Sequence, residues 1–527
     1  MRNLYFKICS SKFYFILFLL LLTLFSSFNL FHSGIIFSHD INFHLHRILA
    51  LVDNIKIMKY VPVYFNYLNG FGYADGLFYP DLFLFFPAFF KYIGFGIEFS
   101  YKFFVFFINF FSIYFMYLCV YRITKSKKCS YFSMLFYSCS IYRLVDLIER
   151  GALAEYIVFA LLPLVILGIY EILYGDCRKG FFFTIGFSLI CFSHVISFYL
   201  TSFFLVLIVF LNIKCLRERK RLLYLCFNLF LSCFITSHFW MPLLEQILSG
   251  EYSFFSNSQI FSNIIPFYVL FIDFPVTYFF DEWYPNGIGL YCYVGLFYFF
   301  KKLVKDRFNV DNMFLFSLFF LGVLSILFSC CSFFWKIDVF YKFFSIIQFP
   351  WRFYLFATVF FIVGLCLFIK DVRFNFGLKV CILYVIIVFF TNSFLYSFNV
   401  YFHDVKSDGI MMGEYLPSNF NYDLINSFSS DDIKYLRRSN ILDVFVLDSK
   451  PFVEVPLIYY KGYSACNSFK CFDVFATDNG LVGVRVNGEL SSFSVSYTGT
   501  FIYNFSFYLS VFGFLLLLFY IYRCYYD

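Results

Sequence analysis

Long apolar runs separated by short, basic polar links set the pattern of this chain. Runs at 13–32, 100–121, 130–147, 154–174, 181–194, 196–213, 222–244, 286–300, 312–331, 350–369, 376–396 and 503–522 each read as a membrane helix. Several are shorter than the roughly 20 residues a perpendicular helix needs. Arg2, Lys7 and Lys12 precede the first run, which is too long for a signal peptide and has no small-residue cleavage site after it. An uncleaved helix with a cytoplasmic N-terminus is therefore predicted. The basic clusters Arg122–Lys128, Arg178–Lys179, Arg217–Arg221, Lys301–Arg307, Lys370–Arg373 and Arg523 then all fall on the cytoplasmic side of twelve helices. A further apolar stretch, 82–97, would invert every later loop if it spanned. Bracketed by Pro80 and Pro87 and carrying Lys91, it is predicted to be an interfacial helix on the outer side.

Three outer segments follow: 33–99, 245–285 and 397–502. The first contains an amphipathic stretch, Phe43–Lys59, with apolar residues at helical spacing. The third turns polar, with 8 Lys+Arg against 12 Asp+Glu, a net charge of −4. Phe452–Tyr460, Leu481–Val486 and Ser492–Tyr497 read as short strands, with turn signals at Asp478-Asn479-Gly480 and Asn487-Gly488. The expected fold is an α-helical polytopic membrane protein. A membrane domain, 1–396, with first outer loop 33–99, precedes a small mostly-β extracytoplasmic domain, 397–502. A last membrane helix and short cytoplasmic tail, 503–527, end the chain. No internal repeat of the inverted-transporter kind is evident.

Composition agrees. Of 527 residues, 61% are hydrophobic and only 14% charged, against roughly 25% in soluble domains. A mean hydropathy of +0.77 excludes both an ordinary soluble protein and a disordered one. The net charge of +7 is spread thinly, as basic cytoplasmic loops would leave it, and is no nucleic-acid footprint. The 17 cysteines lie mostly in apolar runs, where Cys acts as a small hydrophobe, and none forms a C-x-x-C pair. Cys466 and Cys471 are the one suggestive pair, and spacing alone leaves open whether they are bridged.

The densest chemistry follows the first span. Ser38-His39-Asp40-Ile41-Asn42-Phe43-His44-Leu45-His46-Arg47 packs three His, one Asp and one Arg into nine residues, in a chain with 7 His. Burial beside apolar surface would raise the pKa of Asp40 and Arg47 would lower it, tuning that suits a base. The competing role is structural: Asp40 caps the helix that follows and the histidines line a wet interface. His44 and Asp40, four apart on one helix face, also leave room for a divalent metal.

Several segments together resemble the GT-C superfamily, multispanning glycosyltransferases that use polyprenyl-phosphate sugars, and within it a bacterial branch that glycosylates cell-envelope polymers. They are His39-Asp40-Ile-Asn-Phe-His44-x-x-Arg47, Leu77-Phe-Tyr-Pro-Asp81-Leu-Phe, Tyr142-Arg143-Leu-Val-Asp146, Arg150-Gly-Ala-Leu-Ala-Glu155-Tyr, Ser193-His194, Gln348-Phe-Pro-Trp-Arg352 and Gly413-Glu414-Tyr-Leu-Pro. Tyr459-Tyr-Lys-Gly-Tyr and Tyr497-Thr-Gly-Thr before the last span also fit. Each motif is short; their order over nearly the whole chain carries the resemblance. It implies that Asp40 is the catalytic base, that the donor is a lipid-linked sugar and that the acceptor is an envelope glycopolymer or glycolipid. It names neither the sugar nor a required cofactor.

Other groups fall on the same predicted side. Arg143, Asp146, Glu149, Arg150 and Glu155 surround the end of one span and the start of the next, where ionisable residues are costly. The two arginines would either grip a lipid-linked phosphate or pair with the neighbouring acids. His194 links two brief spans, and His238 lies near the end of 222–244. Both are read as substrate contacts or as satisfied interfacial histidines. Arg352 opens a span behind Pro350 and Trp351 and is a candidate for diphosphate. Asp81, Tyr79, Glu282 and Glu414 are weaker candidates in loops. No Gly-rich phosphate loop, G-x-S-x-G or H-E-x-x-H is present. The sequence thus points to a plasma-membrane transferase with both termini cytoplasmic. A transporter or lipid flippase is the alternative, and an assembly protein that binds through its β domain a third reading.

Overall fold

The computed structural model describes residues 12–253, 260–271, 288–289, 292–297, 300, 313–371, 401–402, 413–429, 431–488 and 490–526. The predicted span 376–396, six residues of 286–300, the Lys301–Arg307 cluster and Glu282 lie outside the described residues, as do Arg2 and Lys7.

Helices dominate, and their order follows the apolar runs. Among the described residues five are long and apolar enough to cross a membrane: Ile97–Thr124, Leu153–Leu173, Met313–Cys330, Pro350–Lys370 and Phe501–Tyr526. Arg219–Ile235 and Ser237–Ser249, bent by 67° at their junction, make a sixth if taken as one span. Lys12–Ser26 and Val195–Leu211 are apolar but shorter, and Phe181–Cys191 is shorter still. The run predicted as one span over 130–147 is broken. Helix Lys127–Ser138 stops, Ile141–Val145 restarts it, and the chain opens into a π-turn, Asp146–Arg150. Gly151, at φ +62, ends the turn in the left-handed conformation that suits glycine. A bundle interior tolerates such a break only because side chains satisfy the freed backbone.

Leu153–Leu173 is the central helix, buried along nearly its whole length. Phe181–Cys191 packs against it at Gly168, where a Cβ would stand 2.0 Å from the Phe183 backbone nitrogen. Only glycine allows so close an approach. Lys12–Ser26 leans on Ile97–Thr124, joined by Asn109, whose amide donates to Ser26 Oγ at 2.8 Å and to Ser27.

The first loop folds on itself. Helix Ile41–Lys56 overlaps the predicted amphipathic stretch, starting two residues earlier and ending three residues earlier. The 82–97 stretch forms a turn, Leu82–Leu84, and a short helix, Phe85–Tyr92, with Leu82, Phe89 and Tyr92 exposed.

Among the described residues of 413–500 there are eight strands: β1 (Ile433–Arg438), β2 (Ile441–Val446), β3 (Phe452–Ile458), β4 (Tyr463–Cys466), β5 (Cys471–Phe472), β6 (Val474–Ala476), β7 (Leu481–Arg485) and β8 (Ser492–Tyr497). They form an antiparallel five-stranded sheet, β1-β2-β8-β4-β5, and a three-stranded sheet, β3-β7-β6. The three strands predicted from alternation are all present, and Asn487 and Gly488 both adopt positive φ at their turn. Cys466 and Cys471 are joined by a disulfide at the β4–β5 turn. The domain sits on the first loop. The Ile458 amide donates to the Phe71 carbonyl at 2.9 Å, and the Tyr415 amide to the Tyr73 hydroxyl at 3.1 Å.

Candidate active site

Asp40 heads helix Ile41–Lys56 at the capping position, yet its side chain makes no capping hydrogen bond. The loop before it is fixed through its backbone instead. The Asp40 amide donates to the Arg150 carbonyl at 2.9 Å and the His39 amide to that of Glu149 at 3.4 Å. A Cβ at Gly151 would lie 2.1 Å from Ser38 Oγ, so the loop fits only over glycine. The Asp40 carboxyl is thereby left for the surrounding charges. It sits in dense protein while part of its surface stays accessible. Burial pushes its pKa up; Arg150, Arg352 and His39 oppose this, and Glu155 adds to it. His39, at the rim, is held below the usual histidine range by burial, against the pull of Asp40.

Behind Asp40 the broken span supplies a charged cluster. Arg150 Nη1 donates to Asp146 Oδ1 at 2.6 Å, to Glu155 Oε2 at 2.9 Å and to the Tyr142 hydroxyl at 3.1 Å. The Tyr142 hydroxyl donates to Glu155 Oε1 at 2.7 Å. Arg352 arrives from another part of the chain, its Nε 3.5 Å from Glu155 Oε2 and its Nη1 donating to the Ile347 carbonyl at 2.7 Å. Among the described residues Nε itself has no hydrogen bond, so Arg352 keeps donor capacity. Gln348, held at φ +63, lies just before it. Such strain persists where the surroundings over-determine it and gathers at functional sites. Glu414 joins from the β-domain side. Burial raises its carboxyl, and the Arg352 charge and a hydrogen bond from Gln348 lower it.

A second layer supports the helix from below. Arg47 pairs with Asp81 at 2.5 Å and donates to the Pro80 carbonyl at 2.7 Å. Asp81 also accepts from the Tyr60 hydroxyl at 3.0 Å and from that of Tyr64. The Arg47 guanidinium lies 4.5 Å over the Tyr79 ring, and that ring lies 5.8 Å from His194 and 6.2 Å from His44. Tyr79 thus connects the Arg47–Asp81 pair to the Asp40 site. His44 is buried, and burial together with Arg47 keeps it neutral. Asp75, which no local pattern marks, is fully buried beside this pair, with the Tyr67 hydroxyl next to its carboxyl. One guanidinium balances one carboxylate, so Asp75 holds its proton: burial first, then Asp81, push it up to about 8 against the pull of Arg47 and of the Tyr67 hydroxyl.

Of the residues marked from sequence, His39, Asp40, His44, Arg47, Asp81, Glu149, Arg150, Glu155, His194 and Arg352 gather in this one region. Arg143 and His238 lie elsewhere in the packing. The guanidinium of Arg143 is fully buried among Asn109, the Tyr137 carbonyl and the Tyr156 hydroxyl, in the interior of the bundle rather than on accessible space. His238 packs on the last helix, its ring 5.0 Å from Tyr503 and 5.3 Å from Phe507, with Nδ1 3.4 Å from Ser506 Oγ. Among the described residues no three His, Cys, Asp or Glu side chains come together as a metal-binding set, so His44 and Asp40 find no third ligand. Neither a protein-family model nor a curated protein matches this chain.

Proposed function

We propose that the chain is a membrane glycosyltransferase that moves a sugar from a polyprenyl-phosphate donor to an envelope acceptor on the outer face of the plasma membrane. The observation that carries this reading is the Asp40 carboxyl: at the head of a helix it does not cap, facing two arginines and partly accessible. The acceptor oxygen would attack the anomeric carbon as the bond to phosphate breaks. Asp40 takes the hydroxyl proton, and the leaving phosphate is stabilised by Arg352. Arg150, committed to Asp146 and Glu155, positions the carboxylates around it. The raised pKa of Asp40 makes it a stronger base than an exposed aspartate. The GT-C reading supplies the rest of the proposal: twelve spans, an extracytoplasmic β domain and cytoplasmic termini.

A purified-protein assay with polyprenyl-phosphate sugars tests the reaction. In that assay Arg352→Ala should raise the apparent KM for donor roughly ten- to hundredfold, the value of a charge-assisted bond of about 1.5–3 kcal/mol. An unchanged KM would leave Arg352 a structural partner of Glu155. The topology has its own check. In a background stripped of reactive thiols, a cysteine at exposed Ser449 should react with an impermeant maleimide in intact cells, and one within 214–221 only after permeabilisation. The reverse pattern removes the scheme.

One observation favours a second reading. The 67° bend between Arg219–Ile235 and Ser237–Ser249 is a discontinuous helix of the kind transporters use. Substrate flux into liposomes without any glycosidic product would select a transporter or lipid flippase.

A further inference from the structure

Just before Arg352 the backbone makes a turn that the proposed reaction does not use. The Phe349 amide donates to the Ile347 carbonyl at 2.7 Å across Gln348, which lies at φ +63 and ψ −48. These are the marks of a γ-turn of the rare, strained hand. Glycine would adopt it with less strain, yet a glutamine stands there. The same Ile347 carbonyl accepts from Arg352 Nη1 at 2.7 Å, so turn and arginine are held together.

The Gln348 side chain donates to the Glu414 carboxyl, on which the charges of Arg352 and Asp40 also act. Glu414 stands at the corner of a second turn, closed by the Leu416 amide donating to the Gly413 carbonyl at 3.1 Å. Both of its neighbours are fixed. Gly413 lies at φ +64, and a Cβ on it would stand 1.9 Å from the Tyr422 hydroxyl oxygen. The Tyr415 ring stacks flat on Phe78 with centroids 5.2 Å apart, and its carbonyl accepts from the Tyr460 hydroxyl at 3.1 Å. Gln348 and Glu414 are both partly accessible, as Asp40 is, whereas Arg150, Glu155 and Arg352 are buried. The pair therefore belongs to the polar surface that a substrate beside Asp40 would meet.

A carboxylate repels the phosphate of a lipid-linked donor, so Glu414 does not suit that end of the reaction. It suits sugar hydroxyls, which donate to a carboxylate. In the proposed topology Glu414 also comes from the segment leading into the outer β domain, whereas the donor comes from the membrane. We propose that Glu414, aimed by Gln348, hydrogen-bonds a hydroxyl of the acceptor sugar and so sets the acceptor beside Asp40. This rests on the glycosyltransferase reading.

The test uses the full chain in phosphatidylcholine nanodiscs. The donor probes are undecaprenyl phosphates of glucose, galactose, mannose and N-acetylglucosamine, and the acceptor probes are octyl glucoside and octyl galactoside. Glu414→Gln keeps the size of the side chain but loses the charge. It should raise the acceptor KM roughly tenfold or more, as loss of a charge-assisted hydrogen bond does, and leave the donor KM at the parental value. Gln348→Gly removes the side chain and the backbone strain together. It should also raise the acceptor KM, while its thermal midpoint stays at or above that of the parent. A pair kept only to tie the two turns together would lower that midpoint. If Glu414→Gln fails to fold, Gln348→Gly carries the test. An unchanged acceptor KM in a folded variant, a raised donor KM in its place, or a lowered midpoint in Gln348→Gly would overturn the proposal and leave the glycosyltransferase reading standing. Absence of transfer by the parent itself would remove that reading, and the proposal with it.

Discussion

Asp40→Asn should leave expression and membrane insertion nearly unchanged and lower sugar transfer by roughly 10²–10⁴-fold, the usual scale for a general base. Asparagine keeps the size of the side chain and an oxygen for helix capping but cannot take a proton. A capping role would predict no loss, because asparagine caps about as well as aspartate. The structure sharpens that contrast, since Asp40 makes no side-chain cap to lose. Activity in the parent should also fall as pH drops through the raised pKa of Asp40, because only the ionised carboxylate accepts the proton. Asp40→Glu should retain activity only if the site tolerates a longer reach. Transfer by Asp40→Asn at near the parental rate removes Asp40 from the chemistry and favours the transporter reading.

Asp75→Asn should stabilise the protein, and by more at pH 9 than at pH 5. In the folded chain Asp75 stays neutral up to about pH 8, whereas its ordinary value is 3.8. The unfolded chain therefore ionises first. The stability gained by keeping this carboxyl neutral is complete below about pH 4. It is lost as pH rises through the window between the two values and is gone above about 8. The distance between the two values sets an upper limit of roughly 6 kcal/mol on the pH-dependent part. Asparagine has nearly the same shape and stays neutral throughout, so the slope should flatten in the variant. Thermal midpoints in detergent from pH 5 to 9 measure this. Parallel curves for the parent and Asp75→Asn would mean that Asp75 is ionised in the folded protein.

The two carboxyls differ in how far local pattern reveals them. Asp40 stands among three histidines and an arginine directly after an apolar run, and that density marks it. Asp75 stands alone in Ala74-Asp75-Gly76, and nothing nearby signals its burial. It becomes unusual only when the β domain, more than 300 residues later, packs on the first loop and brings Tyr415 and Tyr460 close to it. Glu414 and Gln348, far apart in sequence, meet in the same way.

Apolar periodicity belongs to the chain, because each residue's side of a helix or strand follows from its spacing. Helices at 97–124, 153–173, 313–330 and 501–526 and strands at 452–458, 481–485 and 492–497 were therefore legible before any packing was known. So were the Asp40 segment and the Arg150–Glu155 cluster. Packing decided the rest. The break at 138–141 and its π-turn let Arg150 reach Asp146, Glu155 and Tyr142 together. Arg143, seven residues earlier and equal to Arg150 in composition and charge, was turned inward to Asn109 and Tyr156. Two arginines on one broken helix receive different roles because the partner groups come from distant segments. Spacing along the chain carries no information about which distant segment will arrive.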